Sequence, residues 1–159
     1  MIEEFAYNFV FEKVKAVFER NGKENEFFKY VGGIARKAKR LAVYIMSEGI
    51  LKGLLFAYSK AKVYNIKKFD DVLDDKVKKL ETETEWKEAD DWLVVSRFVI
   101  EFIIKKFGNI LNIKNAQKMC PEDVLKRLIN AKDKLRFVED RIVNALDSLS
   151  MLCFALEKR

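Results

Sequence analysis

Histidine is absent from the 159 residues of this chain. Its absence removes the commonest general base and the commonest ligand for transition metals. Ser-His-Asp and Cys-His catalytic arrangements are therefore excluded. Helical di-iron sites are excluded as well, because they need Glu-x-x-His pairs. We expect a protein that is not an enzyme and that has no metal site and no cofactor.

Cysteine, proline and glycine are scarce, with two, one and six residues respectively. Cys120 and Cys153 are too few for a disulfide framework and too far apart in sequence for a zinc cluster. This usage fits a reducing compartment, and we expect a cytoplasmic protein. No signal peptide is expected, because Glu3 and Glu4 follow the first residue directly. The low glycine and proline content disfavours an all-β fold with many turns.

Long uncharged apolar runs are also missing. Of the two longest apolar stretches, 41–58 is interrupted by Glu48 and 92–104 by Arg97, so neither is expected to span a membrane. What the chain does contain is core material, since half of its residues are hydrophobic and 13 are Phe. The abundance of Lys and Glu, with few thermolabile residues, fits a thermophile.

Apolar residues recur at steps of three and four, which predicts an all-α protein. We expect a single domain over 1–159, a helical bundle of about five to six helices with a long C-terminal helix. The predicted helices cover 2–20, 24–39, 41–62, 66–80, 84–107 and 121–157. The last is either one helix or a short helix feeding a longer one. Helix 41–62 is apolar on nearly every side and is expected to be buried at the centre, whereas Gly32-Gly33 is expected to weaken or kink the helix before it.

Charge is segregated along the chain, whose formal net charge is +6. Residues 36–62 hold seven basic groups and one acid, a net charge of +6, and residues 70–91 hold ten acids and four lysines, a net charge of −6. Segregated charge indicates which partners a protein attracts. A basic face with nearby tyrosines is typical of nucleic-acid binding, because cations neutralise phosphates and aromatic rings stack on bases. The predicted RNA-binding residues are Arg36, Lys37, Lys39, Arg40, Lys60 and Lys62.

Other readings of the charged segments stay open. The acidic segment is either a solvated face or a partner interface, with Asp70, Asp71, Asp74 and Asp75 as its chief residues. A second basic cluster is equally well explained as a solvated helix face, and it comprises Lys126, Arg127, Lys132, Lys134 and Arg136. Carboxylates on two helices resemble the magnesium sites of all-helical nucleotide pyrophosphatases, although any acidic helix gives such spacing. The candidate ligands would be Glu85, Glu88 and Asp91, or the four aspartates.

The segment 45–61 resembles the small-subunit family of the Cmr complex, the type III-B CRISPR RNA-silencing complex. The small subunit is the fifth Cmr protein of that complex. That family shows a Ser-x-Gly-Leu-Leu helix, a Leu-x-Phe and a Lys-Ala after a basic approach segment. The corresponding residues here are Ser47, Gly49, Ile50, Leu51, Leu54, Phe56, Lys60 and Ala61. Family members carry an aromatic residue and a basic pair near the C-terminus, where this chain has the sequence 149–152, Leu-Ser-Met-Leu.

The resemblance implies a non-catalytic structural subunit for antiviral defence. Such subunits stack along the CRISPR RNA–target RNA duplex, bind RNA backbone without reading its sequence, and contact other Cmr subunits and copies of themselves. Head-to-tail stacking joins two different surfaces, and the oppositely charged segments 36–62 and 70–91 would suit such a contact. An unrelated helical adaptor and another CRISPR small subunit remain alternatives.

Overall fold

The computed structural model describes residues 2–62, 69–80, 86–111 and 121–157. Within these ranges the chain is helical and forms no β-strand, so the all-α prediction is confirmed. The α-helices are α1 (Ile2–Asn8), α2 (Ala16–Arg20), α3 (Glu24–Glu48), α4 (Ile50–Ala61), α5 (Phe69–Lys79), α6 (Glu88–Leu111), α7 (Pro121–Asn130) and α8 (Arg136–Leu156).

A π-helical segment, Phe9–Lys15, joins α1 to α2 without a break, so the predicted helix 2–20 is one continuous rod. Apolar side chains on this rod pack on α6. The ring centroids of Phe5 and Phe9 lie 5.4 and 5.1 Å from that of Phe98. Aromatic pairs at this separation add to the stabilisation that comes from burial.

The predicted bounds of the next two helices are wrong. No break occurs near residue 40, and the predicted helix 41–62 is divided between α3 and α4 at Gly49. Gly49 has φ +89° and ψ 168°, a conformation that is open almost exclusively to glycine. The backbone N–H of Ile50 donates to Glu139 Oε1 at 3.0 Å, so α8 supplies an acceptor for the first turn of α4.

The glycine pair in α3 does not kink the helix, contrary to prediction. Gly32 and Gly33 lie within the continuous helix, where side chains from elsewhere approach its backbone. A Cβ atom added to Gly33 would lie 2.5 Å from Asp91 Oδ2, and one added to Gly32 would collide with the carboxylate of Glu157. Close packing, rather than flexibility, explains these two glycines.

The remaining helices follow the predicted pattern. Helix α5 lies within the predicted 66–80, and α6 continues past 107 across a kink at Phe107. The short α7 leads through a 3₁₀ turn, Lys132–Lys134, into the long α8. Of the two predicted alternatives for 121–157, the structure therefore has the short helix followed by a longer one. Helix α8 packs along α3, and none of the described helices meets the length and apolarity that a membrane span requires.

Candidate nucleic-acid interface

A surface groove of about 480 Å³ lies between the second half of α3 and the end of α8. We call it the basic groove. Its α3 residues lie on the solvent side, because the core side of the helix is occupied by buried residues such as Ala38 and Ile45. The residues that line the basic groove are Arg36, Lys39, Arg40, Val43, Tyr44, Ser47 and Phe154.

The guanidinium of Arg40 rests on aromatic rings. Its central carbon lies 5.5 Å from the ring centroid of Phe56 and 5.8 Å from that of Trp92. The ring of Tyr44 stacks on Phe56 at 4.5 Å with an interplanar angle of 8°. Cation–π contacts hold a charge in place without neutralising it, so Arg40 stays available to a phosphate.

Lys60 is connected to the same aromatic cluster. Its Nζ lies 5.6 Å from the ring centroid of Phe56, the ring that Arg40 also covers. Two predicted RNA-binding residues, 20 positions apart in sequence, are thus brought to one ring by the fold. Lys62, another predicted residue, is exposed at the end of α4 and has φ +57°.

Lys37 lies outside the basic groove, although its neighbours in sequence line it. Its Nζ donates to Glu88 Oε1 at 3.1 Å, at the start of α6. This hydrogen bond, with the charge of Lys37, lowers the pKa of the Glu88 carboxyl below its ordinary value, and the nearby charges of Arg40 and Lys60 act in the same direction. Within 36–40, three of the four cations therefore line the groove, and Lys37 pairs with Glu88 outside it.

Arg36 lies at the end of the groove nearest the C-terminus. Its guanidinium donates to Glu157 Oε1 at 3.4 Å, and 59% of its side chain remains exposed. Lys39 is also exposed. Among the described residues, the groove lining contains three cationic side chains and no acidic one, while the carboxylate of Glu157 pairs with Arg36 at its end.

Phe154 is the groove residue that the sequence did not single out. The buried hydroxyl of Ser150 donates to the carbonyl oxygen of Ala35 at 2.8 Å and fixes α8 against α3, so that Phe154 reaches the groove. Phe154 is 37% exposed. A signal was available, because Phe154 is a large aromatic residue that falls outside the three-and-four spacing of Leu149 and Leu152.

The predicted partner-interface aspartates have different environments. Asp74 Oδ1 accepts a hydrogen bond from Arg20 of the same chain at 2.9 Å. Asp71 and Asp75 are exposed on α5. Asp70 lies in the first turn of α5, and its side chain is outside the described residues. The surface that α5 offers a partner therefore centres on Asp71 and Asp75.

The candidate magnesium ligands contact different neighbours. Glu88 is exposed and paired with Lys37, whereas Asp91 is buried and accepts a hydrogen bond from the indole of Trp86 at 2.7 Å. Glu85 lies outside the described residues. Across the described ranges, no group of three acidic or thiol side chains is placed to hold a metal ion.

The second basic cluster is exposed throughout. One of its members, Lys126, forms an ion pair with Glu122 one turn earlier on α7, with 3.2 Å between Nζ and Oε1. Exposed pairs of this spacing contribute little to stability and are common on solvated helices. The geometry agrees with a solvated face.

No family model, no curated protein and no solved structure matches this chain. An assignment of function therefore depends on the chemistry and geometry of the basic groove.

Proposed function

We propose that this chain is a non-catalytic, RNA-binding structural subunit of a type III-B CRISPR RNA-silencing complex, acting as a single domain in the cytoplasm. The observation that carries the proposal is the basic groove, where Arg36, Lys39 and Arg40 share one lining with the aromatic residues Tyr44 and Phe154. Such a surface attracts phosphates without selecting a base sequence. The resemblance of segment 45–61 to the Cmr small subunit is the basis for assigning the chain to this complex.

The basic residues sort into two ranks by their surroundings. Arg36, Lys39 and Arg40, which line the groove, are the primary phosphate contacts. Lys60 and Lys62, at the end of α4, are secondary contacts. Lys37 contributes least, because its side chain is only 12% exposed and pairs with Glu88 outside the groove, whereas Arg36 keeps 59% of its side chain exposed beside Glu157. Binding is expected to be weak in the isolated protein and to gain strength where many subunits lie along one RNA.

Neutralising the groove is expected to flatten the salt dependence of RNA binding. In the variant Arg36→Gln/Lys39→Gln/Arg40→Gln, up to three phosphate contacts are lost. The slope of log affinity against log salt should then become shallower by about 2 to 3, since each contact contributes roughly 0.7 to 0.9. Fluorescence anisotropy titrations of labelled RNA over a salt series measure this slope.

The second basic cluster supplies a matched control, Lys132→Gln/Lys134→Gln/Arg136→Gln. Both triple variants reduce the net charge by the same three units, so a general loss of attraction would affect them equally. The proposal requires the wild-type slope in this control. A groove variant with an unchanged slope, or a control that flattens it as much, would contradict the assignment.

We further propose that α5 faces a basic surface of another Cmr subunit or of a second copy. Asp71 and Asp75 are free of the Asp74–Arg20 pair and are exposed. Charge pairing of this kind sets register and encounter rate more than raw affinity. Asp71→Lys/Asp75→Lys is therefore expected to reduce incorporation into the complex severalfold while leaving RNA binding by the isolated chain intact.

Native mass spectrometry of the reconstituted complex measures this incorporation. The variant Asp140→Lys/Asp147→Lys is the control, because it reverses two exposed aspartates on α8. If the α5 variant assembles with wild-type stoichiometry, Asp71 and Asp75 lie on a solvated surface and not at an interface.

A further inference from the structure

The basic groove is lined by two kinds of side chain, cationic and apolar. Its lining residues on α3 span 36 to 47, about 16 Å of helix at 1.5 Å per residue. The cations occupy the N-terminal part of this span, and Val43 and Tyr44 follow them. Phe154 is contributed from α8. One groove therefore combines cationic side chains with exposed apolar and aromatic ones.

The apolar lining is open to solvent. Val43 is 60% exposed and Phe154 is 37% exposed. Apolar groups exposed beside cationic side chains suit a ligand that carries both an anion and an apolar face. The backbone of a duplex presents phosphates and sugars, but its bases are stacked inside the helix, so it would leave Val43 and Phe154 unused.

We propose that the basic groove binds a single strand of RNA and holds one unpaired base against Phe154, with its phosphates on Arg36, Lys39 and Arg40. This inference rests on the proposed function and specifies its ligand. The groove, about 480 Å³ in volume and open to solvent, has room for one unstacked nucleotide. Stacking tolerates any base, because every base has a π-face.

The test compares two RNAs of equal length, a polyuridylate single strand and a mixed-sequence duplex, at one salt concentration. Wild type should bind the single strand more tightly. Phe154→Ala should weaken binding to the single strand by about 5- to 100-fold, the range found when a stacking aromatic residue is removed. It should change duplex binding by less than about twofold, since phosphate contacts alone hold a duplex.

Matched variants separate stacking from other effects. Phe137→Ala removes the same ring from the same helix at a position that is 81% exposed and does not line the groove, and it should leave both affinities unchanged. Phe154→Tyr should restore single-strand binding, whereas Phe154→Leu should not. Circular dichroism shows whether each variant is folded. If Phe154→Ala is unfolded, the comparison of Phe154→Tyr with Phe154→Leu decides whether residue 154 stacks on a base.

The outcomes distinguish this inference from the proposed function. Equal affinity for both RNAs, with Phe154→Ala affecting them alike or not at all, would overturn the single-strand assignment. If neutralising the groove still flattened the salt slope, RNA binding by the groove would stand. If neutralisation changed nothing for either RNA, the proposed function would fail, and the inference with it.

Discussion

Asp91→Asn is expected to stabilise the protein above neutral pH, by an amount on the order of 4 kcal/mol at most. The carboxyl of Asp91 is 5% exposed and lies against the backbone of Gly33. Burial raises its pKa from 3.8 to about 7, although the hydrogen bond from Trp86 and the charges of Lys37 and Arg36 oppose the shift. A difference of about three pKa units corresponds to about 4 kcal/mol between the two protonation states.

The sign follows from proton linkage. Because the folded state holds the Asp91 proton more tightly than the unfolded state does, the contribution of Asp91 to stability is complete below pH 4. That contribution is lost as the pH rises through about 7. An asparagine stays neutral at all pH values and can still accept the hydrogen bond from Trp86. The free energy of unfolding of the variant, minus that of wild type, should therefore increase from pH 5 to pH 8.

Urea denaturation at several pH values measures this difference. Glu88, whose pKa is lowered, acts in the opposite direction, since its contribution is lost as the pH falls below about 4.5. The comparison from pH 5 to pH 8 avoids that range. Asp140→Asn removes an exposed carboxyl and controls for the loss of one negative charge. A difference that stays constant across the range would show that Asp91 is ionised in the folded protein at every pH tested.

The helical class could be predicted from sequence because apolar spacing is a local property of the chain. The breaks between helices were predicted less well. Two neighbouring glycines predicted a kink at 32–33, but these positions are crowded by Asp91 and Glu157, which lie 58 and more than 120 residues away in sequence. Gly49, with its positive φ, is the true break. Whether a glycine serves close packing or a turn is decided by tertiary contacts that local spacing does not contain.

In the candidate site, too, local sequence predicts some features and tertiary contacts decide the others. The cluster at 36–40 could be identified because charge is visible in the sequence. Its internal arrangement could not, since the pairing of Lys37 with Glu88 and the placement of Arg40 on Phe56 and Trp92 depend on how α3, α4 and α6 meet. Phe154 belongs to the groove only because α8 runs along α3. Sequence reasoning therefore found the cations and the neighbouring Tyr44, and it missed Phe154, which α8 brings to the same lining.

Leu54→Ala is expected to destabilise the protein by about 2 to 5 kcal/mol, the usual cost of truncating a buried leucine. Leu54 is fully buried on α4, a helix that packs against α6. Beside it, Gly53 lies so close to α3 that an added Cβ would come within 2.5 Å of Ile45 Cγ1. Backbones held this closely have little freedom to collapse into a cavity, which favours the upper part of the range.

The neighbouring residue provides the control. Leu55 is 54% exposed, and Leu55→Ala makes the same chemical change on the same helix, with an expected effect within about 0.5 kcal/mol. Urea denaturation should show a lower midpoint for Leu54→Ala with an unchanged slope, because the surface exposed on unfolding is nearly the same. Equal midpoints for the two variants would mean that α4 is peripheral. Phe56 on α4 would then lack a rigid base, and its contact could not fix the position of Arg40 in the basic groove.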